Sequence, residues 1–258
     1  MFSFTLVKGD DMRDMPSPGS WITIGHPAVA EIMAAAGFEW LTIDLEHSAM
    51  SIARAEELIR VIELSGVKPL VRLSSNNAVQ IKRVMDSGAH GVIVPMVKTE
   101  KDVRTAIAAV HYPPLGDRSV GLARAQKYGS GFQTYFEWQK NNALVLVQIE
   151  HIEAVENIEA IFSVEGLSGY IIGPYDLSAS MGIPGEFEHD HMLAALEKVK
   201  VAAEAHEVPS GIHIVEPDLD ELRQRITQGY KFIAYGVDMR MLDITCRLGI
   251  DNFKSVKS

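Results

Sequence analysis

The sequence predicts a (β/α)8 barrel, the TIM-barrel fold of the α/β class, and three observations lead to it. A short apolar strand followed by a helical pattern recurs eight times along the chain, which is the organisation of a parallel barrel. The length of 258 residues is about that of one such barrel. No G-x-G-x-x-G or G-x-x-x-x-G-K-S/T segment opens a predicted helix, which disfavours a doubly wound nucleotide-binding sheet.

Four strand–helix units come first. Their strands are apolar runs and their helices carry apolar residues at helical spacing. In order, the strands are Trp21–Ile24, Trp40–Asp44, Pro69–Leu73 and Gly91–Pro95, and the helices are Pro27–Ala36, Ser51–Ser65, Ala78–Ser87 and Glu100–Val110. A glycine follows each of the first three helices, as is common after a last helical turn.

The repeat is interrupted by the segment Tyr112–Tyr128, which holds two prolines, two glycines and three basic residues without a clear period. A loop this long inside a compact domain is usually functional. The aromatic stretch Phe132–Trp138 predicts a short helix. The four later units have strands Leu144–Glu150, Gly169–Gly173, Pro209–Ile214 and Phe232–Gly236, with helices Ala154–Phe162, His191–His206, Leu219–Gln228 and Met239–Leu248.

Composition limits the classes of function. We expect one domain over residues 1–258, with residues 1–19 as a polar lead-in. The net charge of −10 disfavours nucleic acid and anionic membranes as partners. Cys246 is the only cysteine, so a disulfide framework and a thiolate zinc site are excluded. The sequence shows no secretory signal and no apolar run near the roughly 18 residues of a membrane span, so we expect a cytoplasmic protein.

Carboxylates lie at the ends of two consecutive predicted strands. Glu150 ends the fifth strand and Asp176 follows the sixth. The carboxyl ends of parallel strands share one edge of a barrel, where catalytic groups sit, so this pair could bind one hard divalent cation. The alternative is that Glu150 caps the next helix and Asp176 begins an ordinary turn.

Other polar residues follow strands at the same predicted edge. Asp44 ends the second strand, and Glu46 and His47 follow it. Arg72 lies near the end of the third strand and Gln148 near the end of the fifth. His47 could be an ordinary loop residue, and Asp44 could cap the following turn. Arg72 lies between apolar residues, and a cation in such a place needs an anionic partner. Together these residues predict one site, with a carboxylate and a histidine that could act as a tuned base.

At this point the sequence resembles the HpcH/HpaI aldolases. The likeness runs from about residue 19 to residue 242 and keeps one order. The segments that carry it are WLTIDLEH (residues 40–47), PLVR (69–72), IKRVMDSGA (81–89), VPMV (94–97), QIE (148–150) and GPYDLS (173–178).

The resemblance implies a barrel of the phosphoenolpyruvate/pyruvate type and a metal-dependent aldolase. Such an enzyme cleaves a 4-hydroxy-2-oxo acid to pyruvate and an aldehyde, through a pyruvate enolate that chelates Mg²⁺, Mn²⁺ or Co²⁺. Glu150 and Asp176 would be the metal ligands. Gln148 would line the pyruvate pocket. The turn that holds the pyruvate carboxylate with backbone amides would consist of Gly173, Pro174 and Tyr175, leading into Asp176.

The resemblance also assigns catalytic residues. Arg72 would face the keto oxygen and stabilise the enolate, and retro-aldol cleavage does build charge on that oxygen. His47, oriented by Asp44, would be the general base for the C4 hydroxyl. Asp86 would approach His47 from a neighbouring subunit, because the family is typically hexameric; a homohexamer is therefore expected.

Three alternatives remain. A Schiff-base aldolase needs a lysine at the active edge; Lys68 and Lys231 precede strands, which leaves Lys98. A lyase acting on a CoA thioester, of the citrate or malyl-CoA type, needs cations for the CoA phosphates, and the candidates are Arg118, Arg124 and Lys127. A non-catalytic sensor of a small oxo acid would need the metal and an arginine but no base.

The sequence departs from the commonest family pattern in three segments, at residues 45–51, 118–126 and 129–136. We expect these segments to contact the aldehyde half of the substrate.

Overall fold

Eight parallel strands close into a barrel in chain order, and β8 pairs with β1. The structure is a computed structural model that describes residues 16–256. The strands are β1 (Ser17–Ile22), β2 (Trp40–Asp44), β3 (Lys68–Arg72), β4 (Gly91–Val94), β5 (Leu144–Ile149), β6 (Gly169–Ile172), β7 (Ser210–Ile214) and β8 (Phe232–Val237). The predicted fold class is confirmed.

Helices follow the strands and surround the barrel. They are α1 (Pro27–Ala35), α2 (Ile52–Leu64), α3 (Ala78–Asp86), α4 (Glu100–Val110), α5 (Phe132–Asn142), α6 (Ile152–Glu156), α7 (Ile158–Phe162), α8 (Pro174–Ser180), α9 (Asp190–Ala205), α10 (Leu219–Thr227) and α11 (Asp238–Ser255). A 3-10 segment, Arg124–Gly129, lies between α4 and α5.

Alternation along the strands divides the core into two layers and positions the site. On β2, Leu41 and Ile43 pack outward among the helices, whereas Trp40 packs inside the barrel. Because successive side chains point to opposite faces, Asp44 has the inward parity of Trp40. Arg72 likewise shares the parity of Leu70, an interior residue. The last inward position of each strand therefore faces the carboxyl-terminal mouth of the barrel.

Several boundaries differ from the predictions. The first strand begins at Ser17 instead of Trp21, because residues 17–19 pair with β8, and Gly19 also with β2, despite Pro18. Helix α8 was not predicted, and the predicted helix Ala154–Phe162 is divided at Asn157. Residues 1–15 of the predicted lead-in lie outside the described residues.

The segment between α4 and β5, residues 111–143, lies at the end of the barrel opposite the mouth. A helix that follows a parallel strand runs back toward the amino-terminal edge of the sheet, so α3 and α4 end at that edge. The segment is fixed there by hydrogen bonds from Asp117 N to Ala108 O (2.8 Å) and from Arg124 Nη1 to Ser87 O (3.0 Å).

The last helix, α11, contributes almost nothing to the core of its own chain. Asp238 is its only buried residue over positions 238–255. Apolar side chains along it are exposed, namely Met239, Leu242, Leu248, Ile250 and Phe253. Across residues 16–256, the structure has no helix with both the length and the apolar character required to span a membrane.

Candidate active site

The centre of the mouth is an ion pair between β2 and β3. Arg72 Nε donates to Asp44 Oδ1 at 2.9 Å and Arg72 Nη2 donates to Asp44 Oδ2 at 2.6 Å, because the two residues are directly paired in the sheet register. Asp44 is 2% exposed. Burial alone would raise the pKa of Asp44, but the hydrogen bonds and charge of Arg72 hold that pKa below its usual value.

Arg72 is also held on its other sides. Its Nη1 lies 3.1 Å from Glu46 Oε2, although the geometry of that contact is not that of a hydrogen bond. The guanidinium carbon lies 4.3 Å from the centre of the Trp21 ring, a cation–π distance. Below it, His213 stacks on Trp21 with ring centres 5.1 Å apart. The guanidinium is therefore fixed in position before any ligand binds.

Glu150 lies across the mouth from this pair, buried at the end of β5. Its Oε1 accepts from the backbone N–H of Met96 at 2.6 Å and its Oε2 accepts from Gln148 Nε2 at 3.0 Å. Burial raises the pKa of Glu150 to about 7, the Met96 N–H lowers it, and the charges of Glu46 and Asp176 raise it further. Glu150 does not cap α6, because His151 accepts the capping bond from Glu153.

The predicted carboxylate-binding turn forms the start of α8. Gly173 precedes the helix, Pro174 is its first residue and Asp176 lies in its first turn. Tyr175 is exposed and packs edge-on against Phe187, with ring centres 4.9 Å apart. A Cβ at Gly173 would lie 2.7 Å from Glu150 Oε2, so a side chain there would displace the Glu150 carboxylate.

The donor set fits a hard divalent cation. Asp176 is exposed at the mouth, and its charge raises the pKa of Glu46 as well as that of Glu150, after the larger effects of burial and neighbouring charge. Gln148 Oε1 is buried without a hydrogen-bond partner among the described residues. Crowded carboxylate oxygens are the ligands that Mg²⁺ and Mn²⁺ favour. Within residues 16–256, no three His, Cys, Asp or Glu side chains are grouped to hold a metal by themselves.

His47 is at the mouth, but Asp44 does not contact its ring as expected. The Asp44 carboxylate accepts instead from the backbone N–H groups of Glu46 (2.9 Å) and His47 (3.2 Å), in addition to Arg72. The His47 side chain is 65% exposed, with Nε2 3.9 Å from Glu46 Oε2. Asp44 thus shapes the turn that carries His47, which was the alternative role considered for it, and orients Arg72 directly.

Asp86 lies far from the mouth of its own barrel. It is the last residue of α3, at the amino-terminal edge, where its Oδ1 lies 3.9 Å from Arg118 Nη1. Within one chain, Asp86 therefore does not meet His47, and only the site of another subunit could use it.

The segment 118–126 also lies at that opposite end, so the expectation that it contacts the aldehyde half is wrong within one chain. Arg118 is buried, and Arg124 pairs with Glu63 and binds Ser87 O. Lys98 lies at the mouth side, where it pairs with Glu153 at 3.6 Å.

Sequence reasoning missed four contributors to the site. Glu46 was noted without a role, and Trp21, His213 and Met96 were not considered. Trp21 and His213 are the inward residues of their strands, and the pattern Ile212-His213-Ile214 is the alternation that could have identified His213. No sequence signal marks Met96, whose left-handed backbone (φ 52°) directs its N–H toward Glu150.

Known proteins resemble this chain over nearly its full length. A profile of the family described as HpcH/HpaI aldolase/citrate lyase matches residues 18–243. The hydroxypyruvate/pyruvate aldolase of Sagittula stellata is 39% identical over 225 residues, covering 87% of this chain and 88% of that protein. The 4-hydroxy-2-oxo-heptane-1,7-dioate aldolase of Salmonella heidelberg is 38% identical over 229 residues, covering 88% and 86%. A solved HpcH/HpaI aldolase/citrate lyase family protein from Burkholderia cenocepacia J2315 has a TM-score of 0.89 at 28% identity, covering 95% of this chain and 98% of that one.

Fold, site and relatives define an enzyme of the aldolase class, a carbon–carbon lyase built on a TIM barrel. Arg72, fixed by Asp44, and the carboxylates of Glu46, Glu150 and Asp176 lie at the mouth of its barrel. The chain belongs to the HpcH/HpaI aldolase/citrate lyase family.

Proposed function

We propose that this enzyme cleaves a 4-hydroxy-2-oxo acid to pyruvate and an aldehyde, with Mg²⁺, Mn²⁺ or Co²⁺ as cofactor. The observation that carries the proposal is the mouth itself, where Arg72, fixed by Asp44, faces the buried carboxylate Glu150 and its neighbour Asp176. A positive group and a cation site on opposite sides suit a small anionic substrate whose negative charge grows during reaction.

The mechanism follows from the charge that the reaction creates. The C4 hydroxyl gives up its proton and the C3–C4 bond breaks, which releases the aldehyde. The electron pair of the C3–C4 bond then forms an enolate, with the negative charge on the 2-oxo oxygen. A cation held by Glu150 and Asp176 supplies Lewis-acid polarisation of the 2-oxo group when bound. Arg72 donates N–H groups toward that oxygen, and protonation at C3 then gives pyruvate.

The remaining residues position the substrate and move the proton. The exposed His47 ring at the mouth is the base for the C4 hydroxyl. The backbone amides after Pro174 hold the carboxylate of the pyruvate half, and Gln148 contacts that half beside Glu150. The Trp21 ring lies under Arg72 and helps to keep the guanidinium in place.

We further propose that the enzyme acts as a homohexamer. The exposed apolar side chains of α11 support association, because large apolar surfaces on a folded chain usually mark an interface. The location of Asp86 is consistent with it, since the role expected for Asp86 beside His47 needs a second subunit. Light scattering should give six times 28.4 kDa; a fully active monomer contradicts the hexamer.

The thioester alternative has less support. Of its three candidate cations, Arg118 is buried and Arg124 is paired with Glu63, both at the end opposite the mouth. Neither is free to bind the phosphates of CoA at the site of its own barrel.

A panel of aldehydes tests the proposal. Pyruvate, a divalent cation and each aldehyde are incubated with the enzyme, and the aldol product is measured. We expect an aldol product with short polar aldehydes. When that aldol product is supplied as the substrate, we expect the enzyme to cleave it and release pyruvate. Tight pyruvate binding without product from any aldehyde contradicts catalysis and favours the sensor.

A further inference from the structure

A second polar cluster lies at the end of the barrel opposite the mouth. Its centre is Arg118, whose side chain is 0% exposed. The guanidinium carbon lies 4.1 Å from the centre of the Tyr112 ring and 5.3 Å from that of Tyr135. Arg118 Nη2 donates to the Tyr135 hydroxyl oxygen at 3.0 Å. Two aromatic rings and one hydrogen bond therefore fix this cation in a dry environment.

The cluster leaves buried polar atoms without partners. Arg118 Nε and Nη1 donate to no hydrogen-bond acceptor among the residues that the structure describes. Asp86 Oδ1 likewise accepts from no donor among them. These two groups face each other at 3.9 Å from Nη1 to Oδ1, too far for a direct hydrogen bond. A buried guanidinium needs a counter-charge, and Asp86 is the nearest carboxylate that the cluster offers.

Asp86 lies between the Arg118 guanidinium and the solvent. Its Oδ1 is buried toward Arg118 while the side chain as a whole is 22% exposed. The other charge that acts on it is Lys82 of its own helix, and the charge of Asp86 in turn helps to raise the pKa of Tyr135 of α5, which burial raises most. Burial raises the pKa of Asp86, and the charges of Arg118 and Lys82 oppose that rise. Arg118 therefore places a positive charge beside a half-buried carboxylate whose ionised form burial disfavours.

We infer that Arg118 is a positioning residue, which holds the Asp86 carboxylate in place so that it can pair with His47 of a neighbouring copy of the chain. The inference rests on the proposed function and deepens it, because it gives the segment between α4 and β5 a part in the reaction. The pair would orient the His47 ring, a task that no carboxylate within residues 16–256 of the same chain performs at hydrogen-bond distance.

The test compares Arg118→Met, Asp86→Asn and the double variant in the cleavage reaction, with pH profiles of kcat/KM. We expect each single variant to lose about 10- to 100-fold in kcat, the range for groups that orient a functional side chain. The double variant should lose no more than either single one. The rising limb of the profile should move to lower pH in all three, because His47 loses its anionic partner.

Two further variants separate positioning from folding and from general charge. Arg118→Lys keeps the cation and should recover part of the rate. Arg83→Gln removes an exposed cation of the same helix that is not among the charges acting on Asp86, and should leave rate and profile unchanged. Light scattering on every variant checks that the oligomer persists.

The outcomes distinguish this inference from the proposed function. A wild type that cleaves no 4-hydroxy-2-oxo acid overturns both. An active wild type whose Arg118→Met variant keeps the same rate and pH profile overturns the inference alone. Additive losses in the double variant, with an unmoved profile, also overturn it, because they show a structural role for Arg118.

Discussion

Replacement of Arg72 by alanine removes the pair with Asp44, the contact with Glu46 and the cation–π contact with Trp21. Asp44 is 2% exposed and would keep only its two backbone N–H bonds. Loss of one partner of a buried ion pair costs about 3–5 kcal/mol. We expect the lower end, about 3 kcal/mol, because the backbone N–H groups still solvate the carboxylate.

The same substitution should slow cleavage. Loss of one donor to a developing oxyanion lowers kcat by about 10²–10³, whereas KM should change less if the metal ligands are intact. Urea denaturation measures the free energy of unfolding, and pyruvate release coupled to lactate dehydrogenase measures turnover. Arg223→Ala is a matched control, because Arg223 also pairs with an aspartate, Asp220, but on the surface. It should leave both quantities unchanged within error.

The pH dependence of stability gives a second readout of Arg72→Ala. In the wild type the pKa of Asp44 is lowered, so this group stabilises the fold above its unfolded pKa, and the contribution disappears as pH falls through the folded value. Without Arg72, burial dominates and the folded pKa should rise. As pH falls, the free energy of unfolding of the variant should therefore not show the decrease that Asp44 causes in the wild type. Near-normal turnover together with an unchanged unfolding curve would refute the reasoning, since it would show that Arg72 neither stabilises Asp44 nor opposes enolate charge.

Three further predictions concern the metal, the base and the barrel interior. EDTA should abolish pyruvate formation and Mg²⁺, Mn²⁺ or Co²⁺ should restore it, with Glu150→Gln inactive in both conditions; a lysine adduct trapped by borohydride in chelator would contradict this. His47→Ala should lose at least about a hundredfold in cleavage while calorimetry still detects pyruvate and metal binding, and equal rates would place the base elsewhere. Burial lowers the pKa of His213 to about 4, so the neutral form is favoured in the fold and stability should decrease as pH falls from about 6.5 to about 4, by at most about 3 kcal/mol. His213→Phe should remove that part of the decrease in urea titrations, and an identical pH dependence in wild type and variant would count against it.

Strand parity explains how much of the site could be predicted. The run Trp40–Asp44 is apolar and ends in a carboxylate, and its length fixes Asp44 as an inward residue at the mouth. Arg72 and Glu150 were also expected at this edge, and the structure has Arg72 as the last residue of β3 and Glu150 directly after β5. The first strand was misplaced because Pro18 argues against a strand, whereas pairing with β8 and β2 decides the matter.

Contacts between elements could not be read from the sequence. The local sequence pattern does not show that the Asp44 carboxylate would bind Arg72 instead of the His47 ring. The choice of partner depends on the sheet register, which pairs Asp44 with Arg72. The location of residues 111–143 was missed for a related reason. Composition marked the segment as unusual, but only the direction of α4 shows at which end of the barrel it lies.

Met96 has a consequence for any attempt to stabilise this enzyme. Met96 has a positive φ, in the left-handed region of backbone conformation. In stability engineering, a non-glycine residue with such a backbone is usually replaced by glycine. Here the strained backbone directs an N–H to Glu150 Oε1 at 2.6 Å, and backbone strain of this kind is characteristic of functional sites. Met96→Gly would relax the loop but give the donor more conformational freedom, so thermal tolerance and turnover should move in opposite directions. Consensus-guided libraries for this fold should therefore leave position 96 unchanged.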